Sequence, residues 1–212
     1  MPDLDLRLIV ITDAAAAAPR AIEDVVAEAL QAGAPAIQLR NKDVTAAELF
    51  QEALQLLDLT RTFGARLFVN DRIDVALAAG ADGVHLGPDD LPIAAARAAA
   101  DATGRADLLI GSSTDDPDTA RRLGTAGADY IGCGAVFGTT SKPGLEDERI
   151  GPEGLRQVVE AAHVPVVGIG GITSGNVRQV AGTGAAGAAV IRTIMGAENV
   201  AATVKELLAA FD

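Results

Sequence analysis

Residues 69–90 read VNDRIDVALAAGADGVHLGPDD, and this stretch decides the fold. RLFVN is a short apolar run that ends in Asn70 and Asp71. RIDVALAAG then suits a short helix stopped by Gly80, and DGVHLG is a second strand that runs out into Pro88, Asp89 and Asp90. A strand–helix–strand unit this compact implies parallel strands and a right-handed crossover. Both strands then end at one edge of the sheet, where α/β proteins bind ligands. Two carboxylates and an amide converge there. Hard oxygen ligands with no His or Cys at metal-ligand spacing suit Mg²⁺ held partly by a substrate phosphate. Taken alone, an Asp after a strand is commonly the N-cap of the next helix, and Pro-Asp-Asp is ordinary turn chemistry.

Working outward, one phrase recurs four times. It is QAGAPAIQLR at 31–40, AAGADGVHLG at 78–87, TAGADYIGCG at 125–134 and GTGAAGAAVI at 182–191. Each copy reads as a helix end, a glycine stop (Gly33, Gly80, Gly127, Gly184) and a short apolar strand. The intervals of 47, 47 and 57 residues each hold two βα units. Four further apolar runs lie between the copies, at 7–12, 66–70, 107–111 and 165–169. Helices are expected over 21–32, 45–63, 91–102, 118–125, 152–162, 174–181 and 200–210, with a short one after Asn70. Thr45-Ala-Ala-Glu48 is a capping box, and Asp116-Pro117 and Gly151-Pro152 open helices. Eight strands alternating with eight helices give an α/β fold, a single-domain (β/α)8 TIM barrel spanning 1–212. An open doubly wound sheet is the runner-up, but the Gly-rich turn such sheets carry after their first strand is missing from Ile11-Thr12-Asp13-AAAAAPR. The one long loop, 137–151, reads as a mobile lid.

Composition narrows the chemistry. Hydrophobic residues make up 49% and aromatic residues only 3%, so the core is aliphatic. The net charge of −12 speaks against nucleic-acid binding, though not against a small phosphorylated ligand, which answers to local charge. Cys133 is the only cysteine, which suits a reducing compartment and a cytoplasmic location. No secretory leader and no membrane-spanning run is expected. Assembly as a homo-oligomer is compatible with the sequence.

In a barrel the C-terminal strand ends form one rim. Strand two brings Gln38, Arg40 and Lys42. Strand three brings Asn70 and Asp71, strand four His85 and Asp90, and strand five Ser112, Ser113 and Thr114. Strand six brings Thr139, Thr140, Ser141 and Lys142, strand seven Gly168, Gly170 and Gly171, and strand eight Ile191 and Arg192. Cations, hydroxyls, glycine backbone and a carboxylate pair make a phosphate-binding inventory. Two subsites are expected. One, near strands two to four, has Arg40, Lys42 and a metal and suits a pyrophosphate; the other, near strands six to eight, is mostly neutral donors and suits a monophosphate. Singly, each motif has a plainer reading: His85 as a packed strand-end histidine, 139–142 as a solvated loop, GIGGI as a turn.

Together these residues resemble the thiamine phosphate synthase family along nearly the whole chain. The matching stretches are LIVITD (8–13), QLRNK (38–42), 69–90, IGSS (110–113), DYIGCGAVFGTTSK (129–142) and VVGIGGI (166–172). The resemblance implies a transferase that joins an aminopyrimidine methyl diphosphate to a thiazole phosphate with Mg²⁺ as cofactor, releasing pyrophosphate. It implies Asp71 and Asp90 as metal ligands and Arg40, Lys42 and Lys142 as catalytic cations. It places Gln38, Asn70 and Ser113 with those cations on the pyrimidine diphosphate, and Thr139, Thr140, Ser141, Gly171, Ile191 and Arg192 on the thiazole phosphate. The chain departs from the family's usual residues at Gly138, Ser141, Thr114-Asp115 and Arg192. Three rivals remain. A thiazole tautomerase on the same barrel would want an acid–base residue near strand five and no Asp pair. A non-catalytic precursor-binding barrel would use the same site without turnover. A phosphosugar isomerase or epimerase would leave Arg40, Lys42 and the Asp pair unexplained.

Overall fold

A computed structural model describes residues 4–138 and 149–212. The elements run β1 (Leu8–Ile11), α1 (Ala14–Ala17), α2 (Ile22–Gln31), β2 (Ala36–Leu39), α3 (Ala46–Phe63), β3 (Arg66–Asn70), α4 (Ile73–Ala79), β4 (Gly83–Leu86) and α5 (Ile93–Ala102). They continue with β5 (Leu109–Ser113), α6 (Pro117–Thr125), β6 (Tyr130–Cys133), α7 (Gly151–Ala161), β7 (Val166–Ile169), α8 (Val177–Ala181), β8 (Gly187–Val190), α9 (Arg192–Met195) and α10 (Val200–Leu208). Eight parallel strands pair in sequence order, and β8 pairs back to β1, closing the barrel. The short helices α1 and α9 go beyond the sequence reading.

Local signals set these elements. Thr45 and Glu48 form the expected reciprocal cap on α3: Thr45 N donates to Glu48 Oε2 at 2.8 Å, and Glu48 N donates to Thr45 Oγ1 at 3.3 Å. Asp116 caps α6 by accepting from Thr119 N at 2.7 Å, with Pro117 in its first turn. The four repeat glycines take φ of 102°, 72°, 104° and 87°, which stops each helix in a backbone conformation that side-chain-bearing residues rarely adopt. In two copies of the repeat the next Asp ties the start of a strand. Asp82 accepts from Leu67 N (2.9 Å) and Arg66 Nη1 (2.8 Å). Asp129 accepts from Ile110 N (2.7 Å) and Arg97 Nη2 (2.6 Å). Both clamps lie at the N-terminal end of the barrel, the end that stabilises rather than reacts.

The two-residue alternation of the strands divides the core in two. Leu8, Val10, Ile37, Leu67, Val84 and Ile110 face the helices and form the larger cluster. Ile9, Ile11, Ala36, Phe68, Tyr130, Val167 and Ala189 fill the barrel interior. Few rings lie inside, and each sits against a strand glycine. A Cβ on Gly83 would lie 2.6 Å from the Phe68 ring, and one on Gly111 would lie 2.2 Å from Cζ of Tyr130. Gly111 pairs with Tyr130 on one side and with His85 on the other. The missing side chain therefore lets the Tyr130 hydroxyl cross strand β5 toward His85. Phe68 meets Tyr130 edge-on, with ring centres 5.4 Å apart.

The geometry sets two opposite glycine effects. Gly111→Ala overpacks the barrel and is expected to cost about 1–3 kcal/mol. Gly124→Ala, within α6 and with only ordinary contact to Val164 at 3.5 Å, is expected to stabilise by about 0.5–1 kcal/mol. Urea unfolding of both variants, at unchanged m value, measures each.

Candidate active site

By the same alternation Gln38, Arg40, Asn70, His85 and Ser113 project from β2 to β5 toward the barrel axis and mouth. On the other side Val167, Ile169, Ala189, Ile191, Ile9 and Ile11 are apolar. The mouth is thus polar along one half and aliphatic along the other.

The QLRNK segment that leaves β2 is held at three points. Buried Thr12, at the end of β1, accepts from Arg40 N at 2.9 Å, and its hydroxyl donates to Arg40 O at 3.3 Å. Asn41 Nδ2 donates to Glu52 Oε1 on α3 at 2.9 Å. Burial raises the Glu52 carboxyl pKa, the Asn41 bond opposes this, and Oε2 is buried without a hydrogen-bond partner among the described residues. Lys42 Nζ lies 2.8 Å from Asp71 Oδ2. Sequence reasoning missed Thr12 and Glu52, whose partners lie 28 and 11 residues away.

Asp71 is not a helix cap. Arg72 holds the capping position of α4 without a side-chain bond, whereas Asp13, after β1, does cap α1 by accepting from Ala16 N at 2.9 Å. Instead Asp71 sits at φ 62°, alone among the described non-glycine residues. Arg72 N donates to Asn70 O at 2.7 Å across it, closing a left-handed γ-turn, a strained form found at functional sites. Asp71 N also donates to His85 O at 2.8 Å, carrying the ladder one step past the strand. Asp90 does not cap α5 either, since Pro92 occupies that position. Its Oδ2 accepts from Gly87 N at 2.6 Å.

The two carboxylates meet. Burial raises the Asp90 pKa, Gly87 N–H opposes the rise, and the neighbouring Asp71 carboxylate adds to it, with Lys42 offsetting part. Two acids facing each other beside one lysine fit a hard divalent cation, which would relieve the repulsion with oxygen ligands. Asn41, Lys42, Asn70, Asp71 and Arg72 border a recess of about 190 Å³ here. A larger cleft, about 500 Å³, opens at the opposite end of the barrel between Arg61, Arg66 and Asp82. There Arg66 is taken up by Asp82, and the cleft is the gap left where α3 and α4 end.

Below the recess lies a hydrogen-bonded chain. His85 Nδ1 is 3.0 Å from Tyr130 Oη, and His85 Nε2 is 2.8 Å from Ser113 Oγ. The Gln38 amide approaches the same tyrosine hydroxyl and acts against the rise in its pKa that burial causes. Desolvation lowers the His85 pKa to about 4, against a small opposing pull from Asp71. His85 is therefore neutral and bonded at both nitrogens. Ser112 turns the other way and donates to Leu86 O at 3.2 Å. Of the two serines only Ser113 faces the site.

Across the mouth, Gly170 and Gly171 take φ of 96° and 65°. The space a Cβ would fill is taken by the chain leaving β6: Ala135 Cα at 2.7 Å from a Cβ on Gly170, and Gly138 O at 2.7 Å from one on Gly171. The close approach expected of a phosphate is made here by the protein's own backbone. Asn176 braces this turn, donating to Gly171 O at 2.9 Å and accepting from Thr173 N at 2.8 Å. Thr193 Oγ1 donates to Ile172 O at 2.6 Å and ties α9 to it. Neither brace was legible as a site residue. Ile191 precedes α9 and Arg192 is exposed within it. Thr139, Thr140, Ser141 and Lys142, with most of the expected lid, lie outside the described residues.

Comparison with known proteins gives the family and the fold. The family model described as thiamine monophosphate synthase matches residues 8–194. A thiamine-phosphate synthase of Haloarcula marismortui is 44% identical over 214 residues, covering 100% of this chain and 99% of that protein. One from Pyrococcus furiosus is 46% identical, covering 95% and 93%. The solved thiamine phosphate pyrophosphorylase of Pyrococcus furiosus superposes with a TM-score of 0.86 at 43% identity, covering 98% of this chain and 96% of that one. A 3-hexulose-6-phosphate synthase structure, 23% identical with a TM-score of 0.70, shares the fold. No helix among the described residues is long and apolar enough to cross a membrane.

The depressed His85 pKa gives a pH signature. The unfolded chain takes up a proton near pH 6.5 that the folded chain resists down to about 4. Stability is therefore full above pH 6.5 and falls as pH drops toward 4, by up to about 3 kcal/mol. Water at the mouth reaches one edge of the ring, so this figure is a ceiling. Subtracting the pH profile of His85→Gln from that of the wild type, by urea unfolding, isolates the slope; equal slopes in the two proteins would contradict the assignment.

Proposed function

Because the chain belongs to the thiamine monophosphate synthase family, we propose that it condenses 4-amino-2-methyl-5-pyrimidinylmethyl diphosphate with 4-methyl-5-(2-phosphoethyl)thiazole, giving thiamine phosphate and pyrophosphate. It is a transferase of thiamine biosynthesis. The observation that carries the finer reading is the meeting of Asp71 with Lys42 on one side and Asp90 on the other, at the polar half of the barrel mouth. An acid pair with one cation suits a metal–diphosphate complex, and it would repel a bare diphosphate.

The residues divide the work as follows. Arg40, Lys42 and Lys142 bind the diphosphate oxygens and neutralise the charge that grows as pyrophosphate departs. Lys42 is about half exposed and pairs only with Asp71 among the described residues, so it can turn to the diphosphate when the acids are otherwise neutralised. Asp71 and Asp90 would hold Mg²⁺, which supplies positive charge to the same leaving group. Ser113 adds a hydrogen bond, and Gln38 and Asn70 hold the pyrimidine end. The carbon–oxygen bond breaks ahead of carbon–nitrogen bond formation, with the electron-rich aminopyrimidine carrying the positive charge. The thiazole nitrogen then attacks the methylene carbon. Thr139, Thr140, Ser141 and the backbone at Gly171, Ile191 and Arg192 hold the thiazole phosphate. No protein nucleophile or general base is needed, and catalysis is positioning and charge stabilisation. The aliphatic half of the mouth, Val167, Ile169 and Ile191, limits water that would otherwise capture the cation.

Pyrophosphate release measured with both substrates is expected to require each substrate and Mg²⁺. Asp71→Asn keeps a residue that tolerates positive φ while removing the charge. It and Lys142→Ala are each expected to lower turnover by about 10²–10³-fold at unchanged melting temperature. A folded wild-type protein that isomerises or merely binds the thiazole phosphate, with no pyrophosphate released, would turn the reading to a tautomerase or a binding protein.

A further inference from the structure

The chain Gln38–Tyr130–His85–Ser113 crosses the barrel interior from β2 to β5 and ends at the mouth. Its members are not interchangeable packing. Tyr130 is 1% exposed and Gln38 4%, so water does not serve the tyrosine hydroxyl. His85 has a hydroxyl partner at each ring nitrogen, and a neutral imidazole carries one ring proton for the two. A tyrosine hydroxyl and a serine hydroxyl also carry one proton each. The protons along the chain must therefore all point one way or all point the other.

The two senses present different surfaces at the mouth. In one, Gln38 donates to Tyr130, Tyr130 donates to His85 Nδ1, and His85 Nε2–H donates to Ser113 Oγ. The Ser113 proton is then free to donate outward. In the other, Ser113 spends its proton on His85 and shows only lone pairs. An anionic diphosphate is bound in the first sense and repelled in the second. We propose that Tyr130 and His85 are positioning residues that hold His85 in the Nε2–H tautomer and so make Ser113 an obligatory hydrogen-bond donor to the diphosphate. The proposal rests on the diphosphate reading above. It also accounts for two strand glycines: a Cβ on Gly111 would close the passage of the Tyr130 hydroxyl, and one on Gly132 would press on His85 Cε1 at 3.0 Å.

The first test needs no substitution. The chain has only two histidines, so ¹⁵N–¹H correlation spectra of the ligand-free wild type at neutral pH report the His85 tautomer directly. Nε2–H is expected, moving to Nδ1–H or a mixture in Tyr130→Phe, a nearly isosteric change. Nδ1–H in the wild type, or no change in the variant, overturns the proposal. The second test is a double-mutant cycle on pyrophosphate release. Tyr130→Phe and Ser113→Ala are each expected to raise KM for the pyrimidine diphosphate roughly tenfold or more and to leave KM for the thiazole phosphate unchanged. The double variant should be no worse than Ser113→Ala alone; losses that multiply overturn the proposal, because Tyr130 would then act independently of Ser113. The tautomer is read without substrate, so it decides this inference even if the wild type releases no pyrophosphate, an outcome that sinks only the function proposed above.

Discussion

A closed eight-stranded barrel has a small interior, and every inward side chain must share it with seven other strands. That volume constraint governs the rest of the structure. The strands meet it with small and aliphatic residues nearly throughout: Ala36, Ala189, Gly83, Gly111, Gly132 and Gly187 beside Ile9, Ile11 and Val167. The room so released goes to Phe68, Tyr130 and His85. The low aromatic content is thus no sign of a featureless core. The rings lie where glycines admit them, and two of the three belong to the polar chain beneath the site.

The second governing feature is charge held at a cost. Asp71 is kept in a backbone conformation that side chains avoid, beside another half-buried acid. Neither residue caps a helix, so helix formation does not account for them. Lys42 satisfies part of the negative charge, yet it lies on a loop fastened by Thr12 and Glu52 rather than packed into the core. Such an arrangement is preorganised for a ligand that brings its own positive and negative groups together.

Much of this was legible in the sequence. The four repeat glycines and the alternating apolar runs gave the barrel, because helix stops and strand periodicity are local properties. The stretch 69–90 gave the acid pair for the same reason. What stayed hidden depends on partners distant in the chain. Thr12 and Glu52 look ordinary until β2 is laid beside β1 and α3. Asn176 and Thr193 matter only because the turn after β7 meets α9. His85 read as packing, since its meaning lies in a register that sets Gly111 between it and Tyr130. The four-residue helices α1 and α9 are too short for periodicity to show. Gly170 and Gly171 stand out in the sequence as phosphate-binding glycines, whereas their closest neighbour in the fold is the chain leaving β6.

The aspartate clamps at the closed end carry a wider consequence. Asp82 and Asp129 fasten strand starts about a barrel length from the acid pair, and they draw on the repeat rather than on the mouth. Mechanical integrity and chemistry are therefore written at opposite ends of the same strands. Such a molecule can have its upper loops rewritten, one strand end at a time, while the lower fastenings keep the scaffold assembled. The architecture is modular along its axis, and new activities can be tried on it without first rebuilding the frame.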